Sequence, residues 1–218
     1  MSGVASVSVD PDYMGVVKTD GTLWVWGLNS SGFPNWTASE EDLLRPAQLM
    51  ENVAEVDCSS HMAVVKTDHI LWLWGNNVCG QIGNGAWEAP VSAPVQVMKD
   101  VAQVAVGNGH TIALKTDGSV WGWGVNDMGQ AGGDAHHAQD SSGREIRSTP
   151  KQIVQQADAI VAGANDSFAL DWDGFLWAWG SNSWGQLGKA EIKDGRIIPI
   201  FRYATSGWSR CPSAAHPV

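Results

Sequence analysis

The string Trp-x-Trp-Gly occurs four times, at Trp24 to Gly27, Trp72 to Gly75, Trp121 to Gly124 and Trp177 to Gly180, and this recurrence constrains the fold more than any other feature of the chain. The first tryptophans stand 48, 49 and 56 residues apart (72−24, 121−72, 177−121). A period of that size marks an array of one supersecondary unit, which buries its apolar faces only by stacking on its neighbours. Two residues after each glycine stands an asparagine, and three further on another glycine: Asn29 and Gly32, Asn77 and Gly80, Asn126 and Gly129, Asn182 and Gly185. The last three copies continue as Gly80-Gln81-Ile82-Gly83, Gly129-Gln130-Ala131-Gly132 and Gly185-Gln186-Leu187-Gly188, whereas the first reads Gly32-Phe33-Pro34-Asn35. From that loop glycine to the proline that opens the expected fourth strand is 14 residues in copies one, two and four (Pro46, Pro94, Pro199) and 21 in copy three (Pro150), an insertion of seven (21−14).

Upstream of the tryptophans lie the turn signals Asp20-Gly21, Asp117-Gly118 and Asp173-Gly174, in which glycine supplies the positive φ of a tight hairpin; copy two has Asp68-His69 instead. Before each turn comes a short apolar strand (Met14 to Lys18, Met62 to Lys66, Thr111 to Lys115, Ser167 to Asp171), and before that an alternating one such as Val101 to Val106. A fourth strand is expected after each proline, as at Pro94 to Met98. Residues two apart on a strand share a face, so Trp24 and Trp26 lie on one side and Leu23 and Val25 on the other. The same holds for Trp72 with Trp74, Trp121 with Trp123 and Trp177 with Trp179. A strand apolar on both faces belongs to a sheet covered on both sides. Radial stacking of four-stranded sheets meets that demand, which makes the expected fold an all-β propeller of four blades. The blades run approximately over 1–50, 51–98, 99–154 and 155–206 as one domain, followed by a tail without the repeat over 207–218. Each tryptophan can bury about 150–250 Å², on the order of 4–6 kcal/mol at about 25 cal/mol per Å², so the eight paired indoles are expected to be the main glue.

The pattern Lys-Thr-Asp-Gly-x-Leu/Val-Trp-x-Trp-Gly-x-Asn-x-x-Gly-Gln-x-Gly, then Pro-x-x-Val, recurs from Val4 to about Ile200 and resembles the repeat of the regulator of chromosome condensation family. The founding member of that family is a seven-bladed propeller that acts as an exchange factor for the small GTPase Ran and binds chromatin. Relatives include ubiquitin-ligase modules and a bacterial inhibitor that grips β-lactamase with its loops. The resemblance implies the propeller scaffold and, as the common thread, protein binding. The matching residues are glycines, tryptophans and turns, so no Ran-contacting residue carries over. Four copies rather than seven imply an open or partial propeller with an apolar blade face at each end. Either the chain is a fragment of a longer propeller or self-association covers the exposed terminal blades.

The formal charge of −10 and the pI near 4.8 speak against a nucleic-acid partner, whose phosphates would be repelled. No signal peptide or membrane-spanning stretch is visible, which favours a cytoplasmic location and no membrane partner. Cys58, Cys79 and Cys211 do not occupy matching positions in the copies and read as free thiols. Catalytic motifs are not apparent and the carboxylates are scattered over turns, so the chain reads as no enzyme and as needing no cofactor.

Three sets of residues are candidates for recognition or chemistry. The insertion in copy three is polar and carries His136, His137, Asp140, Arg144 and Arg147, the composition of a recognition loop on a rigid scaffold. Adjacent histidines point in opposite directions, so no metal site is expected there. Trp36 and Trp87 lie outside the Trp-x-Trp pairs, in the connections between the glycine turn and the proline strand, where an aromatic side chain anchors an interface or packs over the blade edge. Tyr13, His61, His110 and Asp166 fall at one equivalent position and are expected to bond neighbouring backbone in every blade. The functional expectation is a protein-binding scaffold that uses its inter-strand loops. The alternatives are an exchange factor or regulator of a small GTPase and, behind that, an enzyme with an axial site.

Overall fold

Each repeat closes into one antiparallel sheet. The computed structural model describes residues 1–28, 45–133 and 138–188, and the backbone of 201–204. The first sheet is β1 (Val4–Val9), β2 (Tyr13–Lys18), β3 (Leu23–Gly27) and β4 (Ala47–Met50); the second is β5 (Val53–Cys58), β6 (His61–Lys66), β7 (Leu71–Gly75) and β8 (Val91–Met98). The third is β9 (Val101–Val106), β10 (His110–Lys115) and β11 (Val120–Val125), extended by β12 (Ala138–Gln139) and β13 (Glu145–Val154). The fourth is β14 (Ala157–Ala162), β15 (Asp166–Asp171), β16 (Phe175–Gly180) and β17 (Phe201–Ala204). These four sheets are the blades of a β-propeller, with β1, β5, β9 and β14 innermost.

Two strands start earlier than the prolines suggest. Strands β8 and β13 run through Pro94 and Pro150, and the register of each against its neighbour shifts beside the proline, between Leu73 and Gly75 and between Gly122 and Gly124. A bulge is where a strand tolerates a residue without an amide hydrogen. The inserted segment of copy three is likewise not simply a loop, because Ala138 and Gln139 pair with Ile146 and Glu145 to form a hairpin.

The blades pack tryptophan face on aliphatic face. Trp74 lies among Tyr13, Val17, Leu23 and Val25 of the first blade, Trp123 among Ala63, Val65, Leu71 and Leu73 of the second, and Trp179 among Ile112, Leu114 and Val120 of the third. All three indoles are fully buried. Glue is therefore supplied by the second tryptophan of the last three pairs. Trp24, Trp72, Trp121 and Trp177 are only half-buried, and so is Trp26, whose face meets no earlier blade. The glycine after each pair is obligatory: at Gly124 (φ 98°) an added Cβ would stand 2.7 Å from the Cα of His110, and at Gly180 (φ 103°) 2.7 Å from that of Asp166.

The hairpin turns stitch successive blades along one rim. Gly21 O accepts from Val53 N, His69 O from Val101 N, and Gly118 O from Ala157 N, each at 2.9 Å. His69 takes the left-handed backbone (φ 62°) that glycine takes in the other copies, so the poorer turn residue makes the same turn. A returning bond from the next connection completes each stitch: Thr67 N to Asn52 O, Thr116 N to Asp100 O and Trp172 N to Gln156 O.

Candidate functional site

Two regions bring polar or aromatic groups together: the axis, where the inner strands converge, and the rim that carries the long connections. At the axis, a cavity of about 480 Å³ is lined from all four blades, among others by Asp10, Ser59, Asn108 and Ala164. Side chains of the inner strands clasp the next blade there. The amides of Val104 and Val106 donate to Glu55 Oε2 (3.1 Å) and Asp57 Oδ2 (2.8 Å), Ser8 donates to Asp57 Oδ1 (2.8 Å), and Gln103 bonds both the N–H and the C=O of Ile160. Burial pushes the Glu55 carboxyl up to about 7 and raises that of Asp57 as well.

Of the equivalent positions Tyr13, His61, His110 and Asp166, the first three each reach across to the next blade. Tyr13 donates to the backbone of Ser59 (2.6 Å), as expected of this position. The histidines depart from expectation by bonding side chains: His61 Nε2 meets Thr111 Oγ1 (2.6 Å) and His110 Nε2 meets Ser167 Oγ (2.9 Å). Both hydroxyls spend their proton on a carbonyl, Thr111 on Gln81 O (2.8 Å) and Ser167 on Gln130 O (2.9 Å). Each hydroxyl therefore accepts from the imidazole, which fixes the tautomer with hydrogen on Nε2. Complete burial drives the two imidazoles down, to about 3 at His61 and about 4 at His110, so both are neutral at pH 7. The same carbonyls accept the indole N–H of Trp123 (2.8 Å) and Trp179 (3.0 Å). Histidine, hydroxyl, glutamine carbonyl and tryptophan thus close one inter-blade clasp.

The rim opposite the hairpin turns is different in character. It holds the short links between the two inner strands of each blade and the long connection that leaves the Trp-x-Trp-Gly strand. Asparagine and glutamine of the repeat brace those connections from within: Asn77, Asn126 and Asn182 accept from the amides of Ile82, Ala131 and Leu187, and Gln81, Gln130 and Gln186 from those of Cys79, Met128 and Trp184. On this braced frame Leu28, Val78, Trp87, Met128 and Trp184 stand exposed, Trp87 at 37% and Trp184 at 91%.

Of the residues singled out in the sequence, Trp87 and Arg144 lie on this rim and reach solvent. Asp140 and Arg147 do not. Asp140 is buried and holds its own turn, accepting from the amides of Ser142 (2.8 Å) and Arg144 (3.0 Å) and from Arg144 Nε (2.7 Å). Arg147, 3% exposed, donates to Ala131 O (3.1 Å) and Gly132 O (2.6 Å), pinning the hairpin to the glycine turn of its blade. Trp36, His136 and His137 lie outside the described residues, as does the tail beyond Ala204. Among the described residues no cluster of metal-ligating groups occurs. Sequence reasoning passed over Trp184, which occupies a variable position of the motif filled by Cys79 and Met128 in copies two and three.

A family model described as the regulator of chromosome condensation (RCC1) repeat matches residues 68–114, and a second of the same description matches 101–130. Residues 68–130, in the second and third blades, thus carry the regulator of chromosome condensation repeat. Solved structures overlay on the chain. Yeast RCC1 (Prp20), in its complex with Kap60, is 20% identical with a TM-score of 0.81, covering 94% of this chain and 49% of its own. Prp20p of Saccharomyces cerevisiae, described with its binding to Gsp1p and histones, gives 21%, 0.79, 94% and 51%, and human WBSCR16 gives 22%, 0.67, 81% and 47%. The chain thus spans about half the length of these structures, and at such identities the likeness is one of fold. No curated protein matches the sequence.

Proposed function

We propose that this set of regulator of chromosome condensation blades is a protein-binding module that engages its partner with the rim of long connections. The observation that carries the reading is the asymmetry of the two rims: one is a lattice of short hydrogen-bonded turns with Trp172 exposed on it, while the other displays Trp87, Met128 and Trp184 on loops braced by the buried Asn77, Asn126 and Asn182, with Leu28 exposed beside them. Aromatic anchors on a rigid frame lose little entropy on binding, which is what an interface needs. Arg144 contributes the adjacent positive charge in an acidic protein.

The test is capture of partners from cell extract by the intact protein, by a double variant (Trp87→Ala with Trp184→Ala) and by Trp172→Ala on the opposite rim. The reading requires that specific partners be lost with the double variant and kept with Trp172→Ala, at unchanged melting temperature. Retention by the double variant would exclude this rim as the contact. A regulatory reading, in which the chain opens the nucleotide site of a small GTPase, draws support from the likeness to Prp20p, described with its binding to Gsp1p. A nucleotide-release assay separates the two, because a passive scaffold leaves the rate unaltered.

A further inference from the structure

Two of the clasps along the axis use the same pair of positions with different chemistry. Gln103, the third residue of β9, holds Ile160, the fourth residue of β14, at two points: its Oε1 accepts from Ile160 N (2.9 Å) and its Nε2 donates to Ile160 O (3.1 Å). One blade earlier the same positions are Glu55 and Val104, joined by a single bond from Val104 N to Glu55 Oε2 (3.1 Å). Opposed residues of an antiparallel pair exchange both of their backbone bonds or neither. Val104 is paired with Ala113 as Ile160 is with Ala169, and since its N–H goes to Glu55, its carbonyl also points away from β10, on the Glu55 side. An ionised carboxyl has no hydrogen to give that carbonyl, whereas a protonated one has.

Which carboxyl of this seam takes a proton follows from the donors around it. Glu55 and Asp57 stand two apart on one face of β5, and both bond β9. Asp57 is met by three donors, Ser8 Oγ (2.8 Å), Cys58 N (3.0 Å) and Val106 N (2.8 Å), which hold its charge; Glu55 is met by Val104 N alone among the described residues. Glu55 lines a cavity of about 320 Å³ to which β1, β9 and β14 contribute Ser8 and Gln103 as polar side chains, and the residue opposite it on β6 is Val65. Among the described residues no cation lines that cavity, and Asp57 is its one other titratable group. Two like charges in a poorly solvated seam are costly, and the carboxyl with fewer donors is the one to become neutral. Burial, with the Asp57 charge behind it, pushes Glu55 up to about 7. We propose that Glu55 keeps its proton up to neutral pH and donates it in a hydrogen bond to Val104 O, so that the acid reproduces the two-point clasp of Gln103 and the seam between the second and third blades is a proton-dependent joint. Below neutrality the joint is tight; above it a carboxylate oxygen faces the carbonyl and the second bond is lost. The corresponding clasp between the third and fourth blades, built on an amide, is insensitive to pH. This joint lies between two blades at the axis and is independent of the binding rim.

Carbon-13 labelling of the glutamate carboxyls and of the Val104 and Ile160 carbonyls reads the joint directly in the intact protein. The Glu55 signal, recognised by its absence from Glu55→Gln, is expected to titrate with a midpoint near 7, the Val104 carbonyl to shift with the same midpoint, and the Ile160 carbonyl to stay still. A Glu55 midpoint in the ordinary carboxylate range, or a Val104 carbonyl that does not follow it, overturns the proposal. The melting temperature of Glu55→Gln is expected to match that of the native protein near pH 4.5 and to exceed it increasingly as pH rises, the gap levelling off above about 7. Gln103→Glu is expected to show the reverse at the next seam, matching the native protein in acid and losing stability progressively toward neutrality. A Glu55→Gln variant that melts below the native protein in acid overturns the equivalence of the two clasps, and so does a Gln103→Glu variant whose loss is the same at every pH.

Discussion

Trp26 and Trp123 occupy the same position of the same motif, yet one is half-buried at the start of the array and the other fully enclosed between blades. The contrast extends to their surroundings. Around Trp123 the indole N–H reaches Gln81 O, and the carbonyl is shared with a hydroxyl that receives a neutral histidine. The repeat thus encodes only half of an interface, and what completes it is the next repeat. Stability of the array belongs to its junctions, as nearest-neighbour coupling in repeat proteins requires.

The strongest way to break the comparison is to remove the indoles in turn. Trp123→Ala is expected to cost about 3–5 kcal/mol in urea unfolding, the range for large-to-small changes in a packed core. Trp26→Ala, assayed under conditions that keep the chain monomeric, is expected to cost clearly less, and equal losses would erase the distinction between inner and end faces.

Next in size is acid. His61 and His110, held to about 3 and about 4, take up protons more readily in the unfolded chain. Their contribution is complete above about 6.5 and is lost as pH falls toward those values. Glu55 acts in the opposite sense: held up to about 7, it favours the folded chain below about 4.5, and that advantage is lost as pH rises through 7. Asp57, raised by burial, works in the same direction as Glu55. The melting temperature, followed by circular dichroism, is expected to fall from pH 6.5 to 4.5, where the two imidazoles outweigh the opposing Glu55 and Asp57 carboxyls. Glu55→Gln should steepen that fall, because it removes a carboxyl that works against the imidazoles between about 4.5 and 7. The acid effect acts on the second and third junctions, because the first uses Tyr13 in place of histidine.

Smaller effects sharpen the picture within a blade. Arg147→Met is expected to cost about 2–3 kcal/mol through two charged hydrogen bonds to backbone carbonyls, whereas Arg144→Met, at a half-exposed ion pair, should cost at most about 1 kcal/mol. Trp24 and Trp121 donate to Thr22 and Ser119, but at that position copy two has Ile70, and the buried Trp72 Nε1 has no acceptor among the described residues. Ile70→Thr is therefore expected to raise stability by about 1 kcal/mol, the reward for satisfying a buried donor.

The architecture was legible because glycine, tryptophan and the aspartate turns act locally: a strand with indoles on one side and leucine or valine on the other has to be covered twice. Environment was less legible. Nothing in the residues of copy one distinguishes Trp26 from Trp123, since only position in the array removes its neighbour. Arg147 looks like a surface charge in a polar insertion, but it pairs with Gly124, in a strand whose side chains are small enough there to admit a guanidinium. Trp184 escaped notice because variable positions of a repeat carry no periodic signal. Trp87 could be found, being an aromatic residue outside the pairs.

One consequence follows from the stitched rim. Each of the first three hairpin turns there is bonded simultaneously to its own blade and to the first residue of the next, so a residue added at that edge would throw two sheets out of step at once. Lengthening is harmless only on the opposite edge, and there copy three has placed its seven extra residues. Diversification of such a molecule is thereby one-sided: its framework stays constant along one border while the other is free to acquire new chemistry.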